Sequence, residues 1–512
     1  MGYREITLQL PTDYDENALK QGIAKQLGIQ EFSYQIENKS LDARKKANIH
    51  WLVRVVILSD EVSGGNPLLF PSLDIPHKKR NKKAIVVGSG PAGFFSAFVL
   101  QKAGFDTTLI ERGTDVHKRT EGIREFEKTG VFNPIANYAF GEGGAGTFSD
   151  GKLTSRSKHI SKERQFILDS YISAGAPEEI GYMAHPHLGS DNLRLIVKNL
   201  RDVFSAIGGR MVFETLLEDL KIENGKVIEA ITSSGGMEAD YFIIAPGHSA
   251  YETYRMLIKR GIQFRTKNFA LGSRVEHPQE IINKAQWGRE SLPGVKAAEY
   301  RLTSPGDNRL QVYTFCMCPG GTVVPATAYP NTNIVNGMSR YKRNGKFANA
   351  ACVAGVHPDR LINRKAAPEE TLDWIQTLEE RFHQYSNGFA APFCSIQNFI
   401  DQKEPTASVE SSYPLGLKPA ALWDLLPAEI SSSIREGLMD FSRKIQGFET
   451  GTIMGLESKT SAPIQVVREK ERTCTGIENL YIVGEGSGCS GGIISSGADG
   501  IKAAMHIVES NS

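Results

Sequence analysis

The sequence predicts an α/β protein: a three-layered domain assembled from two separated stretches of chain, an inserted α+β domain, and a small α+β module in front. Three observations predict it. "AIVVGSGPAGFFSAFVLQKAG", from Ala84, reads as a short apolar strand, a glycine-rich turn and an apolar helix. "ENLYIVGEGSGCSGGIISSGADGIKAAMHIVES" returns to strand, glycine-rich turn and helix after a long interval. Between them, residues 255–440 carry mixed strand and helix patterns with no glycine-rich loop of this kind.

The totals fit this division. At 512 residues the chain exceeds what one compact core serves. Its 40% hydrophobic and 23% charged residues are ordinary for a globular protein. A formal net charge of +1 gives no global attraction to nucleic acid or anionic membrane, so neither is an expected partner. No apolar run approaches the roughly 18–20 residues of a membrane span. "MGYREITLQL" lacks the basic-then-apolar layout of a secretory signal, and six cysteines in so long a chain make no disulfide framework. A cytoplasmic location is the expectation.

Residues 1–75 read as the separate module. "YREITLQL" alternates like a half-buried strand, and "DENALKQGIAKQLG" places Leu19, Ile23 and Leu27 on one helix face ahead of Gly28. "FSYQIENKS" and "HWLVRVVIL" follow as β-rich runs, an order of ferredoxin-like character. Residues 76–83 are the expected linker; their run "KKRNKK" reads as a solvated boundary rather than a nucleic-acid patch. Residues 84–254 and 441–512 then form the discontinuous domain, with 255–440 as the insertion.

Gly88, Gly90 and Gly93 form G-x-G-x-x-G between strand and helix, with Ser89, Pro91 and Ala92 filling the turn. Such a turn brings backbone and a helix N-terminus close to a pyrophosphate. Glu111 ends the next strand, "TTLIE", where a carboxylate accepts both hydroxyls of an adenosine ribose. It would repel a 2′-phosphate, although Arg112 beside it weakens that exclusion. The site is Rossmann-type and selects FAD or NAD over NADP. The second glycine turn decides for FAD, whose ribityl and flavin ends need a second backbone cradle.

With these motifs stand "FGEGGAGTFSDGKLTSR", "CMCPGG", "GLESKTSAPIQVVRE" and "GEGSGCSGGIISSGADG". Together they resemble the FAD oxidoreductase superfamily with a glutathione-reductase-like flavin domain, and within it the bacterial NAD(FAD)-utilising dehydrogenases. The resemblance implies an α/β glutathione-reductase-like FAD domain with an inserted substrate domain, and non-covalent FAD. It implies that Gly88–Gly93 hold the pyrophosphate and Glu111 the ribose. Glu485 stands where the superfamily has Asp and would bond the ribityl chain, with Gly484 before it. Gly491, Gly492 and Ile493 would start a helix beneath the flavin pyrimidine. Ala245 and Gly247, in "IIAPGHSA", would pass near the pyrophosphate. Gly143, Gly144, Ala145, Gly146 and Thr147 read as a loop against the flavin or ribityl chain, with Ser149, Asp150 and Lys152 as polar contacts. No second dinucleotide domain is visible, so NAD(P)H as electron donor would visit the face that substrate uses.

Residues for the chemistry itself are less defined. Cys316 and Cys318 invite a redox-dithiol reading, but residues two apart in a strand point to opposite faces, which favours packing. A zinc reading of the pair lacks a second pair, and His185 and His187 lack a carboxylate or cysteine at ligand spacing, so no metal is expected. Cys489 in the tail turn, His277 beside Glu276, Arg340, and Lys459 with Glu457 are the candidates for the substrate side. The reading is an FAD-dependent oxidoreductase passing hydride between flavin and a small organic substrate. The alternatives are a flavin-containing RNA-modification or partner-binding protein docking through the N-terminal module, and a protein whose flavin is structural.

Overall fold

A computed structural model describes residues 2–66, 70–306, 309–405 and 409–511. Strands Gly2–Leu10, Ser33–Asp42 and His50–Ser59 form an antiparallel sheet with His50–Ser59 in the middle. The first two strands therefore flank the third, a split β–α–β arrangement closed by helix Glu16–Leu27. Asp15 caps that helix by accepting the Ala18 N–H at 2.8 Å, and Gly28 ends it at φ 70°. Val53, Val55 and Ile57 bury against Leu19 and Ile23. The Lys39 N–H bonds the Tyr182 carbonyl, and the Ala184 N–H bonds the Lys39 carbonyl, both at 2.9 Å. These bonds dock the module on the rest of the chain.

A five-stranded parallel sheet follows, in the order Leu480–Ile482, Tyr241–Ile244, Lys83–Val87, Asp106–Ile110, Arg210–Val212. Numbered along the chain this is 3-2-1-4-5 from the far edge, the doubly wound order. Both faces of the central strand are covered, which is why "AIVV" is a continuous apolar run. Ala84 and Val86 pack under helices Pro91–Lys102, Gly189–Ala206 and Ile493–Glu509. Ile85 packs on the other side against Leu217, Leu220, Val227 and Ala230 of an antiparallel meander. Helices, sheet and meander are the three layers. Residues 73–80 lie against this body: Leu73 and Ile75 pack on its core and Arg80 is buried at the Ala103 carbonyl.

The insertion is built on an eight-stranded sheet whose long central members are Val312–Pro325, Phe347–Val356 and Phe269–Pro278. One boundary differs from the sequence reading. Strand Thr452–Glu457 lies between Phe269–Pro278 and Ala391–Ser395, bonded to both, so the chain returns after Glu457 rather than at 441. Its burial on every residue belongs to a central strand and gives no sequence cue to which sheet it joins.

His277, a candidate for chemistry, is instead part of this core. Its Nε2 meets the Phe448 carbonyl at 2.7 Å, its ring lies 4.5 Å from that of Phe448, and it has no exposure. Burial lowers its pKa to about 4 from the ordinary 6.5, against the pull of the Phe448 carbonyl. The neutral ring is thus the folded form. Its contribution is complete above about pH 6.5 and is lost as pH falls toward about 4, because the unfolded chain takes up the proton first. We expect this group alone to cost roughly 2–3 kcal/mol at pH 4. Thermal melts across that range check it: His277→Gln should be less stable at neutral pH and show a shallower acid slope.

A chain starting near Leu73 keeps the parallel sheet, its helices and the 73–80 segment. It should fold and retain FAD, with a lowered melting temperature from the uncovered Met183 and Val295, which pack on the module core. Flavin content and melting of the truncated protein beside the full-length one test this; a folded, flavin-free truncation would place part of the cofactor site in the module.

Candidate functional site

A single large cavity of about 1250 Å³ runs from the first glycine turn to the inserted sheet. Its walls come from six places. The turn after strand Lys83–Val87 gives Gly88, Ser89, Gly90, Pro91 and Ala92; the next strand end gives Glu111 and Arg112. The loop around Gly144, Ala145, Gly146, Ser149 and Lys152 forms one side, and Ala245 and Gly247 another. The tail contributes Gly484, Glu485, Gly491, Gly492 and Ile493; the insertion contributes Tyr300, Tyr313 and Cys316, and its return Lys459.

Gly93 is not on the wall but makes the turn feasible. A Cβ there would run into the Gly88 carbonyl oxygen, so only glycine lets the helix lie this close to its own strand. Glu111 is nearly fully buried and ties three segments together. It accepts the Ser89 N–H at 2.9 Å and hydroxyl at 2.7 Å, the Gly113 N–H at 2.9 Å and the Gly141 N–H at 3.1 Å. Arg112 turns aside to pair with Glu252, its guanidinium 3.8 Å over the Phe140 ring.

The Gly141–Gly146 loop is held by a residue the sequence reading missed. Arg119, in helix Val116–Thr129, is completely buried and donates to the carbonyls of Asn137, Tyr138, Gly141, Glu142 and Gly144, at 2.8–3.2 Å. Desolvation pulls its pKa down to about 10, opposed by Glu111 and Glu142. So clamped, the loop meets the first turn backbone to backbone: Gly144, at φ 67°, would place a Cβ 2.9 Å from the Gly90 Cα. Gly143 and Thr147 face away from the cavity, Thr147 bonding the Glu142 carbonyl at 3.2 Å.

Asp150 also differs from expectation. It is fully buried outside the cavity wall, bonded to Arg343 at 2.5 and 3.0 Å, Ser339 at 2.5 Å and Lys152 at 2.7 Å. Burial alone would raise its carboxyl, but Lys152 and Arg343 outweigh it and hold it well below the usual carboxylate range. Asp150 thus joins the loop to the inserted domain and steers Lys152, which also bonds the Met317 carbonyl. Arg343 is the arginine that matters here; Arg340 is exposed and off the wall.

In the tail, Gly484 is fixed by its N–H to Asp499 at 3.0 Å, and Asp499 pairs with Arg468 at 2.8 Å. Glu485 points into the cavity, its pKa raised to about 7 by burial and restrained by the Gly492 N–H and Lys267. Cys489 is exposed and lies off the cavity wall: Gly488, at φ 71°, turns the chain outward there, and Gln465 meets the Cys489 thiol at 3.2 Å. It has no place in the cavity chemistry expected of it. His185 lines the cavity, while His187 is pinned to the Tyr341 carbonyl at 3.0 Å, its pKa lowered to about 4 by burial and by Arg343. Lys459 does line the cavity. It bonds the Tyr251 hydroxyl and pairs with Glu379 at 2.9 Å, and burial lowers its pKa despite Glu379.

Cys316 and Cys318 depart from simple alternation. The register between Val312–Pro325 and Phe347–Val356 slips between Phe315 and Cys318, inserting one extra residue, and Cys316 sits at φ 43°. The Cys318 thiol is consequently turned back on the Cys316 carbonyl oxygen, 3.4 Å away, while Cys316 lines the cavity.

Two helix N-termini open on this cavity, at Gly90 and Gly492, with Glu111 at one end. Backbone donors, positive dipole ends and a carboxylate suit a dinucleotide with anionic phosphates. Residues 81–131 match the family described as an FAD binding domain, residues 268–460 that of an FAD-dependent protein C-terminal domain, and residues 3–57 a domain of unknown function. Among solved structures the chain is similar to glycine oxidase from Bacillus cereus (12% identity, 85% of this chain and 96% of that one, TM-score 0.34). It is also similar to a geranylgeranyl bacteriochlorophyll reductase-like protein from Thermoplasma acidophilum (16%, 84% and 79%, TM-score 0.38). No helix among the described residues is long and apolar enough to cross a membrane. A protein of Clostridium beijerinckii, described as uncharacterized, is 35% identical over 531 aligned positions covering 99% of each chain. FAD is the cofactor that the two domain matches assign, and the chain belongs to one family with this clostridial relative.

Proposed function

We propose that this is an FAD-dependent oxidoreductase of the glutathione-reductase-like superfamily, within its NAD(FAD)-utilising dehydrogenases, acting on a small organic substrate under the inserted domain. One observation carries the reading: the cavity that begins at the dinucleotide turn ends against Tyr300, Tyr313 and Lys459 of the insertion and its return. In this reading Gly88–Gly93 hold the pyrophosphate, Glu111 the adenosine ribose, Glu485 the ribityl hydroxyls and Gly491–Ile493 the pyrimidine edge. Bound flavin supplies two-electron chemistry. The chain supplies the rest. A Glu485 carboxyl near its pKa of about 7 can both donate to and accept from hydroxyls. Lys459, desolvated and steadied by Tyr251 and Glu379, is the group placed to hold a substrate anion or proton. Neither NADH nor NADPH has a domain of its own, so either would enter by the substrate face.

The test is anaerobic bleaching of the flavin absorbance by NADH, NADPH and a panel of reduced metabolites. A flavin-loaded protein that none of them bleaches would remove the dehydrogenase reading.

Purified protein should be yellow and release intact FAD on denaturation, read by absorbance and chromatography of the supernatant. A folded, colourless protein that cannot be reconstituted would contradict it.

Glu111→Ala should weaken FAD by about tenfold to a hundredfold, from losing charged hydrogen bonds worth about 1.5–3 kcal/mol. It should also lower the melting temperature of the flavin-free protein, because the Ser89, Gly113 and Gly141 donors lose their acceptor. Glu111→Gln, which keeps an acceptor oxygen, should do less of both. Dissociation constants by flavin fluorescence and melts of the flavin-free variants provide the comparison.

A further inference from the structure

We propose that Cys316 and Cys318 are a redox-active dithiol that exchanges two electrons with the flavin in this cavity. The inference rests on the reading above in that FAD occupies the cavity. It starts from the register slip, which cancels the strand alternation that would have separated the two thiols. Cys316 holds a left-handed φ of 43°, a conformation that non-glycine residues adopt at a cost and that recurs at functional sites. The Cys318 thiol is buried, lies 3.4 Å from the Cys316 carbonyl oxygen, and meets the Arg274 guanidinium at 3.5 Å.

The surroundings favour a thiolate. Arg274 also donates to the Cys316 carbonyl at 2.8 Å, and Lys152 bonds the carbonyl of Met317 between the two cysteines. The neighbouring Cys318 thiol, together with Lys152 and Arg274, pulls the Cys316 thiol below its ordinary range against the effect of burial, and Cys318 is raised in turn. Elsewhere in the fold burial does the opposite: the Cys352, Cys394 and Cys474 thiols are pushed up to about 12. Cys316 lies on the cavity wall with Glu485, Gly491, Gly492 and Ile493, whereas Cys318 sits behind it. One thiol faces the cavity and the other lies behind it, two residues on in the same bulged strand, the division of labour that thiol–disulfide exchange needs.

The step balances. Two S–H bonds break, one S–S bond forms between Cys316 and Cys318, and two electrons and two protons pass to FAD, giving FADH2. Run in reverse, FADH2 reduces the disulfide and returns the protons to the sulfurs.

The test uses the full-length, FAD-loaded protein, oxidised with diamide and then titrated anaerobically with dithionite. Wild type should take up about four electrons per FAD, and Cys316→Ser or Cys318→Ser about two. Independently, mass spectrometry of the peptide carrying Cys316 and Cys318 from oxidised wild type should show it lighter by two hydrogens and closed to alkylation. Dithionite should reopen it, while Cys352 and Cys394 stay as free thiols throughout. FAD content is measured on the same sample. Bound FAD with about two-electron uptake and an alkylatable pair would overturn the dithiol alone. Absence of FAD would overturn the function proposed above and the exchange with it.

Discussion

Arg119 is completely shut away from solvent. Its guanidinium spends its donors on main-chain carbonyls from Asn137 to Gly144, and the loop they belong to has no regular secondary structure of its own until Ala145. A glycine-rich segment of this kind loses much conformational entropy on ordering. A buried cation that would otherwise lack partners supplies the compensation, since removing either side leaves the other unsatisfied. The consequence reaches past the loop. With Gly141 and Gly144 fixed, Glu111 has its third donor segment, the first glycine turn has a surface to lie against, and Asp150 is carried to Arg343 of the inserted domain. The cavity wall is therefore one mechanically continuous piece whose parts are far apart in sequence.

This arrangement also sorts the charged residues of the site. Two that face the cavity, Glu485 and Lys459, are shifted toward their neutral forms by burial, whereas Lys152 on the same wall is kept charged by Asp150. Those behind the wall, Asp150 with Arg343 and Arg274 with Glu457, are paired and hydrogen-bonded. Glu485, raised to about 7, is chemically adjustable near neutral pH; the Asp150–Arg343 pair sets geometry.

What was legible in the sequence follows from range. The strand–turn–helix at Ala84 is a local signal: apolar run, glycines and helix pattern lie within a few turns, and the cofactor it implies is the one that the family matches assign. Lys459 was placed on the substrate side from its motif and lines the cavity. What failed needed long-range pairing. No local pattern says that Arg119 serves carbonyls some twenty residues on, that Asp150 meets Arg343, or that His277 faces Phe448 rather than the cavity. For the cysteine pair it is the expected strand alternation that failed, and for a sharper reason. Alternation is the correct rule for a regular strand, and one extra residue between Phe315 and Cys318 breaks it. The signal available was the Pro-Gly-Gly that follows, Pro319 to Gly321, since proline and glycine in a strand mark bulges.

The parallel sheet takes its outer strand, Leu480–Ile482, and the helix Ile493–Glu509 from beyond the insertion, and that helix lies against Pro91–Lys102 so closely that Gly500 abuts the Ala92 carbonyl. During synthesis the first glycine turn thus leaves the ribosome long before the elements that complete its domain. The inserted domain has its own sheet and core, so it can fold in the meantime, while the earlier strands wait with an apolar edge uncovered. The parallel sheet of the domain that matches the FAD-binding family is thus complete only once residues 480–509 have been made. A chain interrupted before then leaves strand Tyr241–Ile244 as an unpaired edge, a natural handle for chaperones and proteases.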